Sequence, residues 1–427
     1  MRYAYHMATR KRAGREPTSK LSEFAADLIG REKTFGARNY DPLPVVLARG
    51  QGSWVSDVDG RRYLDLMSAY SAVSFGHGHP RIVGALIAQA QQLGVTSRAY
   101  HNDELPYLFE RLTQLTGLDR VLPANGGAEA VETAIKAARK WGHKIKGIPD
   151  GRAEIIGCHG NFHGRTITVT GLSTEPQYRD GFGPFPPGLS TIPYGDADAL
   201  AEAITPRTAA FLVEPIQGEA GIVLPPEGFF LRLREWCTRN RVLLIDDEVQ
   251  AGLGRTGRWF AFEHEGMRPD ALILGKALGG GLLPVSAFLA DDPVMSVFDP
   301  GSHGSTFGGN ALAAAVALEG LRVLEDERLV ERAARLGPHL MQRLQEVKAA
   351  AGPLIRDVRG RGLWVGVDID PAHGSARRLV ERLAERGVLS KETHETVIRF
   401  APPLTITTEL IDKATGLFRE VVLQARP

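Results

Sequence analysis

Leu274-Gly275-Lys276-Ala277-Leu278 places an amine just past an apolar run and just before Gly279-Gly280-Gly281. At the carboxyl edge of a buried sheet such an amine is partly desolvated, which lowers its pKa and frees it as a nucleophile toward a carbonyl. Taken alone, Lys276 reads better as a solvated surface lysine. Earlier in the chain, Asp246-Asp247-Glu248 closes a second apolar run, Val242 to Ile245. Carboxylates leaving a buried strand must face a positive charge or reach solvent. Opposite a pyridine nitrogen, one of them would hold that ring protonated. A magnesium site and a helix N-cap are competing readings, although no GxxxxGK[ST] loop accompanies the acids. Asn125-Gly126-Gly127 opens an amphipathic stretch, Ala128 to Trp141, with Val131, Ile135, Ala138 and Trp141 on one face and Gly142 as the expected stop. The free N–H groups and dipole of such a helix start favour a phosphate; a plain Gly-rich turn is the alternative.

The elements that must hold these residues are legible as runs. Residues 154–158, 209–214, 242–246, 271–274 and 285–289 are short and continuously apolar, the pattern of parallel strands buried on both faces. Helical stretches such as Pro226 to Asn240 lie between them, so the expected fold class is α/β, a large doubly wound, mostly parallel sheet domain. Ligands of such sheets sit beyond the carboxyl ends of the strands. After residue 310 the pattern changes to helices near 311–324, 326–348, 376–386 and 407–424 with short strands near 355–361, 363–370 and 398–400. This predicts a smaller α+β domain, joined by residues 36–66 because Trp54 to Tyr63 reads as a hairpin with a Val58-Asp59-Gly60 turn. The expected division is a flexible tail over 1–35, an N-terminal segment over 36–66, a large domain over 67–310 and a small domain over 311–427.

Composition narrows the function. Of 427 residues, 43% are hydrophobic and 24% charged, and Lys+Arg (51) against Asp+Glu (50) leaves +1, so bulk charge offers nothing to nucleic acid or an anionic membrane. Two cysteines, Cys158 and Cys237, cannot build a disulfide framework or a cysteine metal centre, which fits a cytoplasmic protein. The longest apolar run, Ala311 to Leu318, is far too short for a membrane span. The basic first fifteen residues read as a disordered tail. Phe75-Gly76-His77-Gly78-His79-Pro80 offers two histidines but no third ligand, and no metal is expected.

A lysine that forms a Schiff base is the usual anchor for pyridoxal 5'-phosphate (PLP). Asp247-Glu248-Val249-Gln250, Leu274 to Leu278 and Gly304-Ser305-Thr306-Phe307-Gly308-Gly309-Asn310 resemble the class III aminotransferases, PLP enzymes of fold type I, and the likeness runs from about Tyr40 to Leu404. Within that class, Asn39 to Val45, Ser68 to Val73, Thr96 to Tyr100, Asn161 to Thr166, Val213 to Gly221 and Ile398 to Leu404 look most like the branch that acts on the δ-amine of ornithine. The acetylornithine, 4-aminobutyrate and lysine ε branches are the alternatives, and a catalytically silent homologue is a third reading.

The resemblance implies roles. Lys276 anchors the cofactor and moves the proton; Asp247 pairs with the pyridine nitrogen; Gln250 lies by the phenolic oxygen; Gly126 and Gly127 receive the phosphate; Phe162 stacks on the ring. Ser305 and Thr306 complete the phosphate site from a second subunit, which implies a homodimer. Tyr40 and Arg165 resemble groups that hold the substrate's α-carboxylate, and Tyr70 one that favours ornithine. Arg165 and Arg399 would each bind one carboxylate of 2-oxoglutarate, with Glu219 masking Arg399 when the amine substrate is bound. From residue type alone, Phe162 is equally a core aromatic, Tyr40 and Tyr70 interfacial packing, and Glu219 and Arg399 surface charges. His163 stands where some members of the class carry Trp.

Overall fold

The computed structural model describes residues 21–425, so the basic stretch before residue 21 lies outside it. Residues 23–35, expected as part of a flexible tail, form a helix capped by Ser22, whose Oγ accepts from the Ala25 N–H at 3.0 Å. That cap and an acid, Glu23, in the first turn suffice to start it.

Seven strands make the central sheet, in the order Arg120–Ala124, Ser286–Ala290, Ala271–Leu274, Leu243–Asp247, Thr208–Val213, Glu154–Cys158, Leu189–Ile192. The last five run parallel to one another. Ser286–Ala290 is antiparallel to both neighbours, against the expectation of a parallel strand. After Ala271–Leu274 the chain makes only a short 3₁₀ turn, Lys276–Gly279, before it returns. A parallel return needs a crossover of a dozen residues or more, usually a helix, so direct reversal is the available path.

Helices cover both faces. Gly127–Trp141 buries Val131, Ile135, Ala138 and Trp141 against Leu212, Ile245, Ile273 and Phe288. On the other face Phe229–Arg239 buries Phe229, Phe230, Leu233 and Cys237 against Phe211 and Leu244. Each such side chain contributes roughly 1.5–3 kcal/mol by leaving water, and the sheet is thereby fixed as the floor of whatever lies at its carboxyl edge. Gly142 does not stop the first helix. It keeps right-handed angles and leads into a π turn, Gly142–Lys146, which ends at Gly147 with φ +88°. Glycine is needed at 142 for closeness, because a Cβ there would come within 3.0 Å of the Ala209 Cβ.

Two four-stranded sheets lie outside this layer. One joins Leu47–Gln51, Trp54–Asp57 and Arg62–Asp65 to Val388–Leu389, and the other contains Ile355–Gly360, Val365–Ile369, Val397–Phe400 and Glu392–Thr393. The 54–65 hairpin turns where expected, with Asp57 Oδ1 accepting from the Asp59 and Arg61 N–H groups at 3.0 and 2.8 Å. Its second strand pairs in parallel with Val388–Leu389, tying the N-terminal segment to the C-terminal one. Among the described residues, no helix is long and apolar enough to cross a membrane.

Candidate active site

Strand Ala271–Leu274 ends in extended Gly275, and Lys276 follows in the left-handed region at φ +44°. A side chain other than glycine held there marks stored strain, a recurrent feature of functional sites. Lys276 lines a cavity of about 190 Å³ at the carboxyl edge of the sheet, together with Asp247, Phe162, His163, Gly127 and Glu214. Burial pushes the Lys276 ammonium below the ordinary lysine range; the Glu219 carboxylate opposes this, Arg399 adds to it, and Asp247 and Glu214 oppose it again. It is not the solvated surface lysine that its sequence alone allowed.

The three acids at the end of Leu243–Asp247 part company. Asp247 faces the cavity, with Oδ2 2.7 Å from His163 Nδ1 and Oδ1 accepting from the Val249 N–H at 3.1 Å. Glu248 turns away and accepts from the Ala261 and Phe262 N–H groups at 2.8 and 2.9 Å. Asp246 is fully buried, and burial beside Glu248 pushes its pKa well up, which favours a proton rather than a cation. Among the described residues no three His, Cys, Asp or Glu side chains converge as a metal site. His77 pairs with Asp65 at 2.7 Å and His79 with Glu327 at 3.0 Å, in separate places.

Helix Gly127–Trp141 points its N-terminus into the same cavity. Gly126 is extended (φ −82°, ψ 152°), and no side chain caps the helix. Its first N–H groups are thus free for an anion. Gly126 is held by its own carbonyl, which accepts from the Ser286 hydroxyl at 2.8 Å. A Cβ on Gly127 would meet Val249 Cγ1 at 3.0 Å, so glycine lets the backbone approach this wall. Asn125 Nδ2 donates to Ser305 Oγ at 3.1 Å. Thr306 is exposed, and neither it nor Ser305 is among the residues lining the cavity.

Beyond Lys276 lies an ion pair. Arg399, 1% exposed, pairs with Glu219 Oε1 at 2.7 Å and donates to Gln250 Oε1 at 2.9 Å and the Gly218 carbonyl at 3.0 Å. Burial pushes Glu219 up, but the Arg399 and Lys276 charges outweigh it and hold the carboxyl below its ordinary range. Gln250 lines the cavity while its side chain is engaged by this pair. The Tyr70 ring lies 5.0 Å from the Arg399 guanidinium. Tyr70 belongs to a single left-handed turn, Ser68 to Ser71, with φ between 46° and 73° in Ser68, Tyr70 and Ser71 and 45° in Ala69. Without glycine such a turn costs roughly 1–2 kcal/mol per residue, so its surroundings must hold it. Arg165 is exposed, its guanidinium 3.7 Å above the Tyr178 ring and 5.1 Å from that of Phe162. Tyr40 is 77% exposed and stands outside the cavity.

Three residues gain weight only in three dimensions. His163 is buried beside Asp247; burial lowers its pKa, but the hydrogen bond and charge of Asp247 prevail and raise it. Glu214 accepts from the Phe162 N–H at 2.8 Å and the Gly218 N–H at 3.4 Å, linking the two loops that flank the cavity. Burial raises its pKa to about 7. An acid at the carboxyl end of an apolar strand is the signal that marked Asp247, and it applied to Glu214 as well. Tyr178, under Arg165, had no such signal.

An uncapped helix start, a carboxylate held by a histidine and a buried amine facing one cavity fit PLP: an anion for the N–H groups, a basic ring nitrogen for Asp247 and an aldehyde for Lys276. Residues 35–422 match the family model for class-III aminotransferases, and the chain belongs to that family of PLP-dependent transferases. Its relatives include the ornithine aminotransferase of Halalkalibacterium halodurans, 55% identical over 387 residues that span 91% of this chain and 96% of that protein. The structure of the ornithine aminotransferase of Toxoplasma gondii, with PLP at partial occupancy in its active site, superposes with a TM-score of 0.93 at 44% identity and 94% coverage of both chains. The acetylornithine aminotransferase of Elizabethkingia anophelis superposes with a TM-score of 0.85 at 46% identity, over 94% of this chain and 99% of that one.

Proposed function

We propose that this chain is an ornithine δ-aminotransferase. It moves the δ-amino group of L-ornithine to 2-oxoglutarate and yields glutamate and glutamate 5-semialdehyde, which cyclises to pyrroline-5-carboxylate. The observation that carries this reading is the Glu219–Arg399 pair beside Lys276. The δ end of ornithine offers no carboxylate, so an arginine facing it must be masked; 2-oxoglutarate offers two, so the same arginine must be released. A buried guanidinium left unpaired is strongly unfavourable, and exchange of one carboxylate for another avoids that state. The relatives that share most of this chain's length support the substrate.

When bound, PLP supplies an aldehyde that condenses with amines and a cationic ring that accepts the electron pair released by deprotonation. Asp247, backed by His163, keeps a proton on the ring nitrogen. The N–H groups after Gly126 hold the phosphate, and Phe162 and Val249 confine the ring. Lys276 would hold PLP through its aldehyde carbon, and its amine, once displaced by the substrate amine, is the base that would take the proton from the substrate carbon bearing the transferred amine and deliver it to the former aldehyde carbon. Arg165, with Tyr40, binds the α-carboxylate, and Tyr70 shapes the pocket for an ω-amine. Gln250 serves the phenolic oxygen and the Arg399 pair.

A homodimer completes the site, with Ser305 and Thr306 reaching the phosphate of the neighbouring subunit. The large domain spans 67–310, and 36–66 joins 311–427 in the small one. The compartment is the cytoplasm. The likeness to an acetylornithine enzyme makes N-acetylornithine the competing amine donor. Steady-state assays with 2-oxoglutarate and ornithine, N-acetylornithine, lysine or 4-aminobutyrate decide between them. The expected kcat/KM for ornithine exceeds the others by about tenfold or more; a preference for N-acetylornithine overturns the assignment.

A further inference from the structure

Arg255 is fully buried, and among the described residues no carboxylate pairs with it. Its Nη1 donates to the carbonyls of Leu363 and Pro402 at 2.9 and 2.6 Å, and its Nη2 donates to Ser74 Oγ at 3.0 Å. Burial lowers its pKa to about 9, with only Asp65 pulling the other way. A buried cation held by neutral oxygens alone, with its Nε left without a partner, is an expensive arrangement, so what it joins is informative.

Two of the three acceptors belong to the segments that carry Tyr70 and Arg399. Ser74 Oγ donates onward to the Ser71 carbonyl at 2.8 Å, at the end of the left-handed turn that carries Tyr70. Pro402 follows the strand Val397–Phe400, which carries Arg399. The Leu404 N–H donates to the Ser74 carbonyl at 2.7 Å and the Ala401 N–H to that of Leu66 at 2.7 Å, so the two segments run side by side. Leu363 closes the third side. A Cβ on its neighbour Gly362 would lie 2.4 Å from the Thr256 carbonyl carbon, so backbones are packed tightly around the guanidinium.

We propose that Arg255 is a positioning residue for substrate selectivity: through Ser74 it clamps the strained Tyr70 turn to the segment that follows Arg399, and so fixes the Tyr70 ring over the Arg399 guanidinium. This rests on the ornithine reading for the identity of the selected substrate. Lysine at 255 keeps the charge but cannot serve three acceptors in the planar geometry of a guanidinium. Ser74→Ala removes only the link to the turn.

The test compares holoenzymes of wild type, Arg255→Lys, Ser74→Ala and the double variant. PLP content and melting temperature establish folding, and kcat and KM are measured for ornithine and 4-aminobutyrate. Loss of a charge-assisted hydrogen bond predicts that Arg255→Lys lowers the ornithine preference about tenfold, mainly through KM. Ser74→Ala shifts it in the same direction by about threefold. The double variant is no worse than Arg255→Lys, because both act along one path. An unchanged preference in folded variants, or fully additive losses, overturns the proposal. If Arg255→Lys does not fold, Ser74→Ala alone decides it. A wild type that prefers another amine defeats the ornithine reading instead, and the same variants then report on selectivity for that amine.

Discussion

In the proposed reaction Glu219 masks Arg399 for one substrate and releases it for the other, and the burial of Arg399, against a Glu219 side chain one-fifth exposed, sets the scale of the effect. Removing one partner of a buried pair costs roughly 3–5 kcal/mol. Glu219→Gln keeps an amide oxygen near Arg399 and is expected at the lower end of that range, measured by urea unfolding. Against the upward push of burial, the Arg399 and Lys276 charges hold the native Glu219 pKa below the ordinary glutamate value of 4.5. Its contribution is therefore complete above pH 4.5 and is lost as pH falls through the native value. The stability gap between wild type and Glu219→Gln should be flat near neutrality and close in acid; a gap that widens in acid would refute the pairing energetics. With ornithine, the variant should also shift turnover toward the α-amine, because Arg399 is then available to its carboxylate; product analysis of the two ends of ornithine reads this. Lys276 and Asp247 were legible in the sequence because each ends an apolar run, and the sheet places such ends together. Glu219 and Arg399 are far apart in the chain, so only a resemblance could pair them. His163 and Glu214 went unassigned because their roles come from contacts with Asp247, Phe162 and Gly218 that no local pattern encodes.

Helix Gly127–Trp141 links packing to chemistry, since its buried face fixes it on the sheet and its free N-terminus then points at the cavity. Glu129 in its first turn accepts from the Asn125 N–H at 2.7 Å and Nδ2 at 2.9 Å, which holds the approach to Gly126. Gly127→Ala pushes a methyl group to 3.0 Å from Val249 Cγ1. Overpacking of this kind costs about 1–3 kcal/mol, here at the proposed phosphate end of the site. The expected result is PLP affinity about tenfold weaker, by equilibrium dialysis, with a melting temperature of the apoenzyme only a few degrees lower; unchanged affinity would place the phosphate elsewhere. Most of the elements could be read from their apolar runs, as Ala271–Leu274 and Glu154–Cys158 show at their full lengths. Strand direction could not, because Ser286–Ala290 is buried on both faces whichever way it runs. Nor could the left-handed turn at Ser68 to Ser71, which contains no glycine to announce it.

The whole molecule carries exposed apolar groups near the Ser305 loop: Val95 is 41%, Tyr100 74% and Phe307 57% exposed. Hydrogen bonds of Leu312 to Gly94 (3.3 Å) and Asn102 to Gly309 (3.1 Å) bring these segments together. Exposed apolar groups on neighbouring segments are what the proposed homodimer would cover. If the dimer shares its sites, Lys276→Ala and Ser305→Ala/Thr306→Ala subunits complement each other. Random mixing then restores about a quarter of wild-type activity, as half the dimers hold one complete site. Mixed subunits with only the sum of the separate activities would contradict shared sites. The central claim is that the Lys276 amine, opposite Asp247, performs the δ-amine half of the reaction. Its most direct test adds ornithine to the PLP-loaded enzyme without 2-oxoglutarate and follows the visible absorbance of the cofactor and the pyrroline product. The account predicts one equivalent of product per site as the absorbance is lost in wild type, and none in Lys276→Ala. Product formation by Lys276→Ala at the wild-type rate would contradict it.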